Sequence, residues 1–176
     1  MANLFGYLAF SARGDLFSDP GALSVSAVKE GELWRLVTYQ FLHSGIFELI
    51  FSLFLLVLFA VLVEQRYGRR ATALCYLLSG TVGGLVAVAV NSGVVAAGST
   101  VSTFGLIGMW LVMNSRPRSY ERQYPVYAGL TLAGLLMLYG ALQGGIELWS
   151  QVGGLATGVC CGVVAERVSY SSLDDF

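Results

Sequence analysis

What most constrains this chain is the recurrence of long apolar runs. They lie at Ile46–Val63, Ala71–Ser92, Ala96–Met113, Tyr127–Ile146 and Leu148–Ala165, each bounded by charged, Gly or Pro residues. A helix rising about 1.5 Å per residue needs about 20 residues to cross a hydrocarbon core about 30 Å thick, so runs of this length read as spanning helices. In lipid every backbone N–H and C=O must be satisfied within the segment, which leaves helices as the form for such runs. Five runs with short connections predict an all-α polytopic bundle with no separate soluble domain.

Composition agrees, with 56% apolar and 12% charged residues and a mean hydropathy of +0.69. Residues 1–10 are apolar but too few to span, and Arg13, Asp15 and Asp19 follow them. No cleavable signal pattern is visible. The chain therefore divides into an N-terminal stub and interfacial loop (1–45), a transmembrane bundle (46–166) and a short polar tail (167–176). Within the first part, residues 21–39 read as a short surface helix plus loop, with Trp34 and Tyr39 at the membrane interface where amphipathic rings are favoured.

A net charge of −1 argues against nucleic acid as a partner. Arg66, Arg69 and Arg70 follow the first span, Arg116, Arg118 and Arg122 the third, and Arg167 the fifth; Arg13, Lys29 and Arg35 fall on the other side. That bias places the Arg-rich loops and the C-terminus on the cytoplasmic or equivalent side of a bacterial cytoplasmic membrane or an organellar inner membrane. Cys75, Cys160 and Cys161 lie inside spans and read as buried apolar filler without disulfide or metal spacing. No cofactor is implied. Gly154, Gly158 and Gly162 form a GxxxGxxxG row on the last span, with Gly98, Gly105 and Gly108 on the third and Gly80, Gly83 and Gly84 on the second. Small residues at this spacing let helices approach closely, either inside the bundle or at a partner interface.

Five local patterns, in order, resemble the rhomboid intramembrane protease family. Glu32-Leu33-Trp34-Arg35 is similar to its Trp-Arg loop, and Phe41-Leu42-His43-Ser44-Gly45-Ile46-Phe47-Glu48-Leu49-Ile50-Phe51-Ser52 to its His-x-Gly-x-x-His-x-x-x-Asn helix start. Glu64-Gln65-Arg66-Tyr67-Gly68 resembles the Glu-x-x-x-Gly that closes that helix. Gly98-Ser99-Thr100-Val101-Ser102-Thr103-Phe104-Gly105 and Gln151-Val152-Gly153-Gly154-Leu155-Ala156-Thr157-Gly158 resemble its Gly-x-Ser-Gly and His-x-Gly-Gly motifs. The resemblance implies a rhomboid-like bundle whose first helix is missing or reduced to the stub.

The departures fall on chemistry. The resemblance puts Thr100 where the family has its nucleophilic serine, Gln151 where it has the histidine base, Val101 at the following glycine, and Glu48 and Ser52 at the histidine and asparagine that stabilise the oxyanion. A hydroxyl needs an adjacent base, and an amide is not one near neutral pH. An ionised Glu48 would repel a developing oxyanion. His43 aligns outside the family's dyad, and Ser99 and Ser102 point away from the aligned nucleophile position.

The polar remainder reads as a clasp between helices, with Gln151 bridging to Thr100 or Glu48, and Glu48 snorkelling toward the outer interface. Glu64 and Arg66 read as a helix-end cluster, Glu64 bonding the neighbouring loop. The chain is thus expected to be a pseudoprotease: a stabilising subunit of a larger membrane complex or an adaptor binding transmembrane helices, with other integral membrane proteins and lipids as partners. The alternative is a protease using Thr100, or a neighbouring serine, as an atypical nucleophile. A transporter fits poorly, because no span is charged in its middle and no inverted repeat appears.

Overall fold

In a computed structural model, residues 21–43, 46–90, 95–96, 99–116, 127, 129–132, 134–135 and 146–171 are described. A two-residue strand β1 (Leu23–Ser24) leads into α1 (Val25–Lys29) and α2 (Arg35–Thr38), followed by a 3-10 turn at Tyr39–Phe41. Three longer helices follow, α3 (Ile46–Val90), α4 (Thr100–Ser115) and α5 (Ile146–Ser171), with strand β2 (Val95–Ala96) between α3 and α4. β2 pairs antiparallel with β1, Leu23 opposite Ala96, and so ties the loop before the first apolar helix to the loop before α4.

The helical run α3 contains 45 residues, about twice what a bilayer requires, and it is broken where the sequence allows. Gly68 has φ 80° and ψ 163°, a conformation that side chains disfavour, and it divides α3 into two legs that coincide with the first two expected spans. Among the described residues, two helices are long and apolar enough to cross a membrane: Glu48–Val90, at mean hydropathy 2.2, and Leu148–Val168, at 1.4. The third expected span, Ala96–Met113, appears as a 16-residue helix that starts later, at Thr100, because the chain ahead of it is used for strand pairing and a non-helical Ser99. Most of the fourth expected span, together with the N-terminal stub and the polar tail, lies outside the described residues.

α4 is the axle of the bundle. It is apolar on all sides and buried continuously from Val101 to Trp110, as a helix must be when enclosed by others. Both α3 and α5 pack on it. Phe59 and Trp110 meet edge to face at 5.6 Å inside a core that includes Leu55, Val63, Phe104 and Met109.

Glycine makes this closeness possible. A Cβ on Gly158 would overlap the backbone of Gly105, one on Gly108 would strike the Leu155 carbonyl, one on Gly154 the Val101 carbonyl, and one on Gly162 the Val112 side chain. The GxxxGxxxG row thus faces α4 inside the bundle. Similarly, Gly80 and Gly83 on the second leg of α3 leave room for Gln40 and Val101.

The bundle is fastened at the end where Arg66, Tyr67 and Glu166 meet. Arg66 and Glu166 form an ion pair at 2.5 Å with side chains 1% and 0% exposed, and Tyr67 donates its hydroxyl to the same carboxylate at 2.6 Å. Arg66 also donates to the carbonyls of Met113 and Arg116, at 3.4 and 2.8 Å, closing the C-terminus of α4. This corrects the expected helix-end cluster: Arg66 is a buried tie between α3, α4 and α5, whereas Glu64 pairs with Arg69 at 3.1 Å on the surface. The sequence hid the tie because its acid is nearly a hundred residues away.

Three substitutions probe these joints. Gly158→Ala should lower stability in mild detergent by about 1–3 kcal/mol or more, since backbone cannot move aside, and Gly68→Ala by about 1–3 kcal/mol through backbone strain alone. Glu166→Ala should cost about 3–5 kcal/mol by leaving Arg66 buried without its counter-ion. Thermal unfolding followed by circular dichroism checks all three.

Candidate functional site

Three pieces of chain converge on the N-terminus of α4: the segment ending at His43, the start of α3, and the first turns of α5. Thr100 is the first residue of α4 and half-buried, and its hydroxyl makes no hydrogen bond among the described residues. Gln151 is fully buried, and neither atom of its amide has a hydrogen-bond partner among the described residues. The expected bridge from Gln151 to Thr100 or Glu48 is therefore not made directly. Glu48 is half-buried, one helical turn before the buried Ser52.

The single imidazole is used elsewhere. His43 is fully buried, with Nε2 2.9 Å from Ser52 Oγ and 3.3 Å from Ser99 Oγ. The sequence placed His43 outside the chemistry and Ser99 pointing away; the structure brings the two together, joining the loop, α3 and α4. Ser99 Oγ lies against the imidazole and does not cap its own helix.

Ser52 decides what this contact can do. Its one proton has two acceptors in reach, Leu49 O at 3.1 Å and His43 Nε2 at 2.9 Å. If the proton goes to Leu49, Nε2 must carry the ring proton to face Ser52 and offers Ser99 no lone pair. If it goes to Nε2, that lone pair is already taken. Either way the imidazole is not free to deprotonate Ser99.

Other residues complete the filling of the site. Val101 is 6% exposed, with its carbonyl against Gly154 and its side chain against Gly83 and Gly154, so the room a glycine would leave is occupied. Sequence reasoning missed Gln40, which is fully buried; its Nε2 donates to Leu36 O at 2.9 Å and its Oε1 accepts from Ser102 Oγ at 2.9 Å. Tyr76 donates to the Gln40 carbonyl at 3.3 Å. The available signal was an uncharged polar residue between Tyr39 and Phe41. Tyr39, expected at the membrane interface, is instead 2% exposed and donates to Gly80 O at 2.6 Å; Trp34 is exposed. The neighbouring loop is braced by Arg35, which pairs with Glu32 at 2.5 Å and donates to Ala22 O at 2.8 Å. No cluster of metal-ligating side chains occurs among the described residues.

Comparison with known proteins places this arrangement. The family model described as Rhomboid domain matches residues 30–167. RHOMBOID-like protein 6, mitochondrial, of Arabidopsis thaliana is 27% identical over 159 residues, 89% of this chain and 52% of that protein. Inactive RHOMBOID-like protein 8 of the same plant is 39% identical over 92 residues, 52% of this chain and 26% of that protein. Rhomboid-like protease 1 of Toxoplasma gondii is 28% identical over 152 residues, 84% and 52% of the two chains. The chain spans about half the length, or less, of these relatives. One is called inactive and another a protease, so the printed names point both ways.

The site makes a prediction in pH. Burial pushes the His43 pKa down from 6.5 to about 4 by disfavouring the imidazolium. The unfolded chain therefore takes up a proton near pH 6.5 and the folded chain only near pH 4. Stability falls as pH drops through that window, by at most about 3 kcal/mol. Melting temperatures in mild detergent should show this slope, and His43→Gln should flatten it.

Proposed function

The chain belongs to the rhomboid family, and on that premise we propose that it is a non-catalytic member, a membrane protein that stabilises a larger membrane complex or binds transmembrane helices as an adaptor. One observation carries the reading: Gln151, where the resemblance puts the family's base, is a buried amide with no partner among the described residues, and the one imidazole is engaged by Ser52. A Thr100 hydroxyl at its ordinary pKa then has no group among the described residues to take its proton as it attacks. Val101 fills the space beside it, and the half-buried Glu48 and the Ser52 held by His43 supply no pair of donors for an oxyanion.

What remains suits holding helices together. The closely packed glycine faces and the buried Arg66–Glu166 tie make a rigid body, and the exposed apolar residues of α3 and α5 leave a surface for lipid and other integral membrane proteins. The distribution of arginines supports an orientation with the Arg-rich loops on the cytoplasmic side, or its equivalent in an organelle.

A second reading is favoured by the Ser99–His43 contact at 3.3 Å, which gives the protease alternative a more specific form with Ser99 in place of Thr100. Against it stand the full burial of both residues and the competing Ser52 hydroxyl.

The deciding measurement reconstitutes the full chain in liposomes with a protein carrying a single transmembrane helix and compares it with Thr100→Ala and Ser99→Ala. No cleavage by any of the three is expected. Cleavage lost in one variant identifies a nucleophile and ends the pseudoprotease reading. For the role in a complex, extraction in mild detergent should bring other integral membrane proteins down with the chain in defined stoichiometry; recovery as a lone stable monomer rules that role out.

A further inference from the structure

Two of the three cysteines meet across a helix interface. Cys75, on the second leg of α3, is buried, with Sγ 3.6 Å from the Gly105 carbonyl oxygen and 3.7 Å from Ser79 Oγ. Gly158 of α5 packs against that same carbonyl, and Cys161 lies three residues further along α5, on the same face. Cys161 packs against the buried cluster that contains Cys75, and both side chains line the same cleft. Cys160, its neighbour in sequence, is exposed and points about 100° away around the helix.

All three cysteines border a cleft of about 580 Å³ between the second leg of α3 and α5, Cys160 from its more exposed side. Its walls include Leu74, Leu78, Val164 and Val168, all exposed at the outer surface of the bundle. In a membrane such a surface meets acyl chains, where an apolar reagent concentrates and a water-soluble one is depleted. This corrects the expectation that all three cysteines are buried filler.

We propose that Cys75 and Cys161 form a redox-active dithiol, oxidised to a disulfide between α3 and α5 by hydroperoxides dissolved in the membrane, lipid hydroperoxides being the chemical class. Cys161, the partly exposed partner, reacts first: its sulfur attacks the terminal peroxide oxygen, the O–O bond breaks, and the alcohol leaves with the thiol proton. Cys75 then attacks the resulting sulfenic acid, an S–S bond forms, and the hydroxyl departs with the Cys75 proton as water. Two electrons pass from the sulfur pair to the peroxide, giving one alcohol and one water. The staple closes a long loop of chain and fixes the second leg of α3 to α5.

The test uses the full chain in liposomes treated with cumene hydroperoxide, followed by unfolding and maleimide labelling. The expected product has lost two hydrogens by intact mass, leaves Cys160 labelled, yields a Cys75–Cys161 peptide, and melts at a higher temperature until a thiol reductant is added. Cys160→Ser should behave like the parent, while Cys161→Ser should form no bridge within the chain; Cys161 is only partly buried, so this does not depend on whether Cys75→Ser folds. Full labelling of all three cysteines after treatment, or a bridge through Cys160, overturns the proposal. Equal rates with hydrogen peroxide and cumene hydroperoxide overturn the lipid-borne class of oxidant.

Discussion

Everything in this molecule is arranged around a place where two helix backbones touch. Gly158 of α5 lies against the carbonyl of Gly105 in α4, with no side chain between them. Apolar side chains gain little by leaving lipid for one another, so helices in a membrane are held by close packing and by polar contacts. Small residues on both partners allow the first and set the rotation of α4 about its own axis. That rotation then determines what each residue of α4 can meet: Val101 turns toward Gly83 and Gly154, Ser102 toward Gln40, and the N-terminal Ser99 toward His43.

The same placement is what supports the proposed non-catalytic reading. Catalysis by a hydroxyl requires a lone pair aimed at its proton, and one hydrogen bond is enough to occupy that lone pair. The Ser52 contact with His43 is shorter than the Ser99 contact, and it holds the imidazole whichever tautomer the ring adopts. Polar groups remain in the site, but they are engaged in holding loop, α3 and α4 together. The exceptions are Gln151, a buried amide with neither end paired among the described residues, and the half-buried Thr100 hydroxyl.

Much of this could be read in the chain itself, for reasons that are local. Apolar runs measure themselves against the thickness of a bilayer, Gly68 marks the break in α3 because few other residues accept its backbone angles, and the glycine row declares a close-packed face wherever it falls. The motifs around Trp34, His43, Thr100 and Gln151 identified the family because their order and spacing survive replacement of the reactive groups. What could not be read were contacts joining distant segments. Glu166 is an ordinary polar residue near a helix end until Arg66 is seen beside it, and Gln40 and Ser102 are unremarkable apart. Ser99 was set aside because neighbours on a helix face different ways; it precedes the first helical residue, so that rule did not govern it.

The two ends of α4 are built on opposite principles. At the C-terminal end a guanidinium satisfies the last carbonyls and is neutralised by a buried carboxylate, an ion pair that is costly to break. At the N-terminal end the capping serine turns away from its own helix, and an unpaired amide lies buried nearby. An enzyme of this family needs polar groups at that second end for catalysis and must tolerate them unpaired until substrate arrives. On the non-catalytic reading proposed above, the chain keeps the framework that buried those groups, because the glycine contacts and the Arg66 tie are made elsewhere along the helices. The reactive residues can therefore be exchanged for Thr100, Val101 and Gln151 without disturbing what holds the bundle, and fold and chemistry separate along the length of a single 16-residue helix.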